Sequence, residues 1–198
     1  MKKLLFFKVV FLISIIGVIV SSLFFALYVY DINKISNTSK NLANSFSISY
    51  LYSDSPLYFA NKQTEDYTDY FIIGIIKIDK LKLDYPIISE VSDELLKIAP
   101  CRFAGPLPNN VGNLCIAGHN YLDNTFFAKI RFLEQGDEID LYGIDGDLIK
   151  YSVFNKEEIE SSDFSCTSQE TSGTKMITLM TCNSVKQTRI IVQASEIL

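Results

Sequence analysis

One histidine, His119, serves this whole 198-residue chain, so any mechanism that needs imidazole as acid or base has a single candidate. Cysteine is also scarce. Cys101, Cys115, Cys166 and Cys182 match neither metal-ligand spacing nor the dense frameworks of small stapled domains, and a core of this size stands without staples. Cys101 and Cys166 are left open, as a pair or as free thiols. Positive charge is in short supply: 18 Lys and Arg face 23 Asp and Glu, for a net charge of −5. The first thirty residues hold three lysines and no acid, so the remainder carries 15 basic and 23 acidic groups, a net of −8. That balance argues against nucleic acid as a partner.

Charge is absent altogether from residues 9–30, an apolar run preceded by Lys2, Lys3 and Lys8. As a helix at about 1.5 Å per residue, those residues reach about 33 Å, enough to cross a bilayer. A cleaved signal peptide has a shorter apolar region, roughly 7–15 residues, and a small-x-small cleavage site that is missing here. The expectation is therefore an uncleaved, single-pass anchor over residues 1–30. The lysines keep the N-terminus in the cytoplasm by the positive-inside bias and send the C-terminal bulk outside. Tyr28 and Tyr30 suit the outer interface.

Residues 31–70 are rich in Asn, Ser, Thr and Tyr without a sustained period, and read as an extracellular stalk. Its first part could extend the helix by a turn or two, and Tyr58-Phe59-Ala60 could form a flap on the following domain. From residue 71 to 198 the chain becomes β-rich. Phe71-Ile-Ile-Gly-Ile-Ile-Lys-Ile78 and Leu83-Asp-Tyr-Pro-Ile-Ile88 pair as strands, with Pro86 at an edge or bulge. Asp93-Glu-Leu-Leu-Lys-Ile98 is a short helix. Leu114-Cys-Ile-Ala-Gly-His119 is a strand ending in the histidine, with Cys115 packing on the same face as Ala117. Phe126 to Leu133 packs a helical turn on the sheet, and strands at 138–142 and 148–154 flank an Asp145-Gly146 turn. About eight strands with little helix point to a mainly β fold, a closed or nearly closed barrel.

Met176-Ile-Thr-Leu-Met-Thr-Cys182 and Thr188-Arg-Ile-Ile-Val-Gln-Ala194 are neighbouring strands, which puts Cys182 and Arg189 at facing ends. Taken singly, a cysteine at a strand end is most often inert packing, a histidine on an apolar strand a core residue, and an arginine in a strand a surface charge. Together they are the minimum kit for thiolate acyl transfer. A cysteine phosphatase needs five residues between cysteine and arginine in a phosphate-cradling loop before a helix, whereas six intervene here and a strand follows. A papain-like hydrolase has its cysteine early and its histidine late, the reverse of this order. A non-enzymatic surface-binding module is the remaining alternative, since barrels serve many functions.

The Thr178-Leu-Met-Thr-Cys182 run resembles the Thr-Leu-x-Thr-Cys signature of sortases. Ala117-Gly-His119 matches their histidine strand and Arg189 their arginine on the next strand. Pro100-Cys-Arg-Phe-Ala-Gly105 and Gly136-Asp137 extend the likeness over about residues 70–198. The resemblance implies an eight-stranded sortase-type β-barrel anchored in a Gram-positive cell membrane with its catalytic domain outside. It implies that Cys182 attacks the threonine carbonyl of a Leu-Pro-x-Thr-Gly-like sorting motif near the C-terminus of a secreted protein. His119 would protonate the leaving amine and later deprotonate the incoming one. Arg189, a permanent five-donor cation, would hold the substrate carbonyl or the oxyanion, with Thr181 as a lesser helper. The thioester would pass to an amine acceptor on peptidoglycan, lipid II or a cross-bridge, or on another protein.

Subclass is read from the loops. The segment before Met176 lacks the apolar spacing of an inserted helix, and Ser53-Asp-Ser-Pro-Leu-Tyr58 approaches but does not match the Asp-Pro-aromatic lid of pilus-building sortases. A class A-like or D-like enzyme is favoured over class B or pilus-type C, with a pilus-polymerising sortase or a purely hydrolytic anchored peptidase as alternatives. Some sortases bind calcium through loop acids, and Glu90, Asp93, Glu94, Glu157, Glu158 and Glu160 occupy comparable stretches. An ordinary solvated acidic face accounts for them equally well, so no obligatory metal or other cofactor is expected.

Overall fold

A computed structural model describes residues 2–52, 70–122 and 124–198. The chain divides into two compact units, Met1–Asn37 and Thr38–Leu198. A first helix, α1, runs Lys2–Tyr52. Its stretch Phe11–Asp31 is long and apolar enough to cross a membrane. Large apolar side chains such as Phe11, Ile19, Phe24 and Leu27 are exposed along it, as lipid-facing positions would be. The helix does not stop within a turn or two of residue 30 but continues to Tyr52. No Gly or Pro occurs between Asp31 and Tyr52, so nothing in the backbone chemistry forces an end. Residues 53–69 of the expected stalk, with its Ser53-to-Tyr58 stretch and its Tyr58-Phe59-Ala60 flap, lie outside the described residues.

Among the described residues eight strands close a barrel in the order β1-β2-β3-β4-β7-β8-β6-β5. They are β1 Ile72–Ile78, β2 Leu83–Ile88, β3 Cys101–Ala104, β4 Gly112–Ala117, β5 Glu138–Gly143, β6 Leu148–Glu160, β7 Lys175–Asn183 and β8 Thr188–Glu196. The mainly β, eight-stranded barrel is as expected. Pro86 lies opposite Ile75 of β1, while β2 meets its other neighbour only at Ile88, so no ladder bond is lost to the missing N–H. The short helix α2, Asp93–Leu96, starts one residue after Ser92, whose hydroxyl accepts from the Leu95 N–H.

Strand β6 runs past the 148–154 hairpin segment to Glu160. A register shift between Val153 and Asn155 re-aims it, and it stays paired with β8 as far as Glu160↔Thr188. Alternation assigns the core. Ile177 and Leu179 of β7, Leu114 and Ile116 of β4 and Val192 and Ala194 of β8 point into the barrel with Ile73, Ile76, Ile139 and Leu141. A 3-10 turn at Phe127–Phe132 adds Phe127 and Ile130 to that core. The opposite faces of β4, β7 and β8 give a second cluster of Cys115, Met180 and Ile191, closed by Cys166 from the β6–β7 loop.

Candidate functional site

Register brings the candidate residues to one end of β4, β7 and β8. Cys182 of β7 lies directly opposite Arg189 of β8. Strand β4 runs parallel to β7 with Ala117 beside Met180. The Gly118 N–H then donates to the Met180 carbonyl at 3.0 Å, carrying the pairing past the strand's end, so His119 leaves the sheet beside Cys182. Neighbouring strands are about 4.8 Å apart, which sets the scale of the triad Cys182, His119 and Arg189. By the two-residue period Cys182 and Arg189 share the face of Met180 and Ile191, the outer apolar cluster. Cys182 is exposed and His119 and Arg189 are half-buried.

The histidine is held by several contacts that its own strand does not supply. Thr181 is buried and its hydroxyl donates to the Gly118 carbonyl at 2.7 Å. Asn120 donates from Nδ2 to the Cys182 carbonyl at 2.8 Å, and the Phe127 N–H donates to the His119 carbonyl at 3.0 Å. Gly118 is required here, because a Cβ would meet the Phe127 ring at 2.7 Å. The His119 ring packs on Tyr121, with centroids 5.1 Å apart, and Tyr121 on Phe126 at 5.8 Å. Thr181, expected as a lesser helper through its hydroxyl or its backbone, uses its hydroxyl proton to fix the strand exit. Asn120 and Tyr121 escaped the sequence reading, and Gly118 entered it only as part of the histidine motif. Asn120 and Gly118 flank the histidine and were visible as neighbours, but their partners come from other strands.

The electrostatics separate the four thiols. Burial pushes Cys101 and Cys115 up to about 12 and raises Cys166, so Cys182 is the exposed thiol among three buried ones. Cys101 packs with Tyr70, Ile88 and Leu95, whereas Cys166 packs with Cys115 and Met180, and all four are free, so Cys101 and Cys166 do not pair. Burial lowers the pKa of His119 below its ordinary value; Asp93 opposes that shift and Lys97 adds to it.

Of the acids considered for calcium, Glu158 is already engaged. Its carboxylate accepts from Asn183 at 2.8 Å, Lys186 at 2.8 Å and the Thr188 hydroxyl, tying the β7–β8 turn to β6. The Lys186 and Thr188 bonds lead in pulling its pKa down to about 2, so this clamp is complete above the ordinary carboxylate range and is lost as pH falls through about 2. Among the described residues no group of three or more His, Cys, Asp or Glu could hold a metal ion.

Comparison with known proteins agrees with the motif reading. The family model for the sortase domain matches residues 76–197. No curated protein matches. Among solved structures the chain is similar to a sortase D5 transpeptidase of Clostridium perfringens, with 26% identity over 82% of this chain and 99% of that one and a TM-score of 0.67. A lid mutant of sortase A from Corynebacterium diphtheriae shares 20% identity over 80% and 91%, with a TM-score of 0.60. A sortase C of Clostridium perfringens, solved with the C-terminal cell wall sorting motif, shares 18% over 86% and 96%, with a TM-score of 0.59.

Proposed function

This chain belongs to the sortase family, and from that premise we propose that it is a cysteine transpeptidase whose nucleophile is Cys182, whose acid and base is His119, and whose carbonyl-holding cation is Arg189. The observation that carries the reading is the direct pairing of Cys182 with Arg189 beside the exit of the His119 strand. The substrate is a secreted protein with a Leu-Pro-x-Thr-Gly-like motif near its C-terminus. The Cys182 thiolate adds to the threonine carbonyl while Arg189 donates to the developing oxyanion. As the C–N bond breaks, the His119 imidazolium gives its proton to the leaving amine, and a thioester remains on Sγ. An amine, proposed to be on peptidoglycan, then attacks. His119 takes its proton and the thiolate leaves.

A class D-like or A-like enzyme fits best. The match to the class D5 transpeptidase supports it, as does a β6–β7 loop over 161–174 whose ordered helix is only the 3-10 turn Ser165–Thr167. The apolar stretch of α1 supports a membrane anchor with the catalytic unit outside the cell.

The test uses the full chain in detergent with fluorogenic Leu-Pro-x-Thr-Gly peptides varied at x and triglycine as acceptor. The expected result is an acyl adduct on Cys182 by mass spectrometry and a transpeptidation product. Cys182→Ala should abolish both, and His119→Ala and Arg189→Ala should each cost about 10²-fold or more in kcat/KM. Turnover that survives Cys182→Ala sinks the mechanism. Hydrolysis without transfer to any amine favours a peptidase instead, and activity lost to a chelator and restored by calcium overturns the metal-independent reading.

A further inference from the structure

Arg189 stands near the start of β8, half-buried, on a long stem whose guanidinium could take several positions. Its position is set from outside its own strand. The guanidinium carbon lies 4.5 Å from the centroid of the Phe164 ring. Phe164 belongs to the β6–β7 loop, and its ring is parallel to that of Phe103 in β3, with centroids 5.9 Å apart and planes within 1°. An aromatic face under an arginine attracts it through the ring quadrupole and limits its rotation.

The loop that presents Phe164 is itself fastened. Asn113 of β4 is 1% exposed. Its Nδ2 donates to the carbonyls of Cys166 at 2.9 Å and Ser168 at 3.1 Å, and its Oδ1 accepts from the Thr178 hydroxyl at 2.8 Å. Both amide protons and the amide oxygen are therefore in use. Gln169 completes the fastening from the loop side. Its Oε1 accepts from the Asn113 N–H at 3.1 Å and its Nε2 donates to the Asn113 carbonyl at 2.9 Å. The preceding residue is Gly112, whose φ of +123° strains any side chain and where a Cβ would sit tightly, 3.1 Å from Gln169 Oε1 and from Pro106. Within the loop, Asp163 accepts from the Ser165 N–H at 2.8 Å and the Thr167 hydroxyl donates to the Phe164 carbonyl at 2.8 Å, fixing the turn around the ring.

We propose that Phe164 is a positioning residue for Arg189, and that Asn113, held by Thr178, is the latch that fixes the β6–β7 loop so that the ring is in place. This rests on the proposed role of Arg189 in the acyl-transfer site. It gives the two threonines of Thr178-Leu-Met-Thr-Cys182 separate tasks. Thr181 ties the cysteine strand to the histidine, and Thr178 ties it through Asn113 to the loop that seats the arginine.

Two readouts on the full chain in detergent test the proposal. The first is NMR of the Arg189 side chain, assigned by its loss in Arg189→Ala. A guanidinium over a ring is shifted upfield, and that shift should vanish in Phe164→Leu, survive in Phe164→Tyr, and shrink in Gln169→Ala and Thr178→Val. The second is kcat/KM with the fluorogenic peptides. Phe164→Leu should lower it roughly 2- to 30-fold, the range of a cation–π contact, with Phe164→Tyr restoring it. In an Arg189→Ala background Phe164→Leu should cost nothing more. An unshifted Arg189 in the native chain overturns the stacking, and a shift unchanged by Gln169→Ala and Thr178→Val overturns the latch. If the Phe164→Leu and Arg189→Ala losses multiply, Phe164 acts elsewhere and this inference fails while the transpeptidase reading stands. If Arg189→Ala turns over normally, the role assigned to Arg189 fails instead, and the NMR shift alone then decides the stacking.

Discussion

Cys182 is exposed, whereas Cys101, Cys115 and Cys166 sit beneath side chains that exclude water. A thiolate in an apolar site lacks solvation, so those three thiols are held in the unreactive form. Brief iodoacetamide treatment of the native protein at neutral pH should therefore add one carbamidomethyl group by mass spectrometry, on Cys182, and four after denaturation. Two or more adducts on the native chain would show that burial does not protect the others. His119 permits an equally direct measurement because it is the sole histidine. Its ring should titrate by NMR with a midpoint below 6.5, and Asp93→Asn should lower the midpoint further, since Asp93 opposes the effect of burial. A depressed imidazole favours the fold above pH 6.5, and that contribution is lost as pH falls from there through the folded midpoint. A midpoint above 6.5 would mean that desolvation does not dominate at this ring.

At the level of elements, the site depends on the places where strands stop. Strand β4 ends at Ala117, and its last contact with β7 runs through Gly118, which sits so close to Phe127 that any side chain would collide. Gly118→Ala should cost about 1–3 kcal/mol by urea denaturation, the usual range for overpacking, and should lower kcat/KM by more than tenfold because His119 shifts with its neighbour. A stable, fully active Gly118→Ala protein would show that the strand exit does not set the histidine. The β7–β8 turn is governed in the same way by a distant group. Glu158 of β6, 25 to 30 residues upstream in the chain, gathers Asn183, Lys186 and Thr188, and so holds the ends on which Cys182 and Arg189 stand.

For the whole molecule, the apolar Phe11–Asp31 stretch and the lysines before it lead to one expectation about topology. On intact cells a membrane-impermeant maleimide should label Cys182 without permeabilisation, and Cys182→Ala should remove the label. Labelling that appears only after lysis would place the catalytic unit inside and reverse the orientation. The sequence by itself determined the barrel, because strands of period two with turn residues between them leave few other ways to bury Ile73, Leu114, Ile177 and Val192 together. It also determined Cys182, His119 and Arg189 as candidates, because rarity and spacing are properties of the chain. The continuation of α1 to Tyr52 was not legible, since polar residues without a breaker permit a helix but do not demand one. Nor was the bulge in β6 or its pairing with a strand nearly thirty residues away. Only the tertiary structure decided what holds the three side chains in place. The Thr181 bond to Gly118, the Asn113 latch and the Phe164 ring under Arg189 each join segments far apart in the chain, and a hydrogen bond or ring contact exists only once folding has brought both partners within a few ångströms.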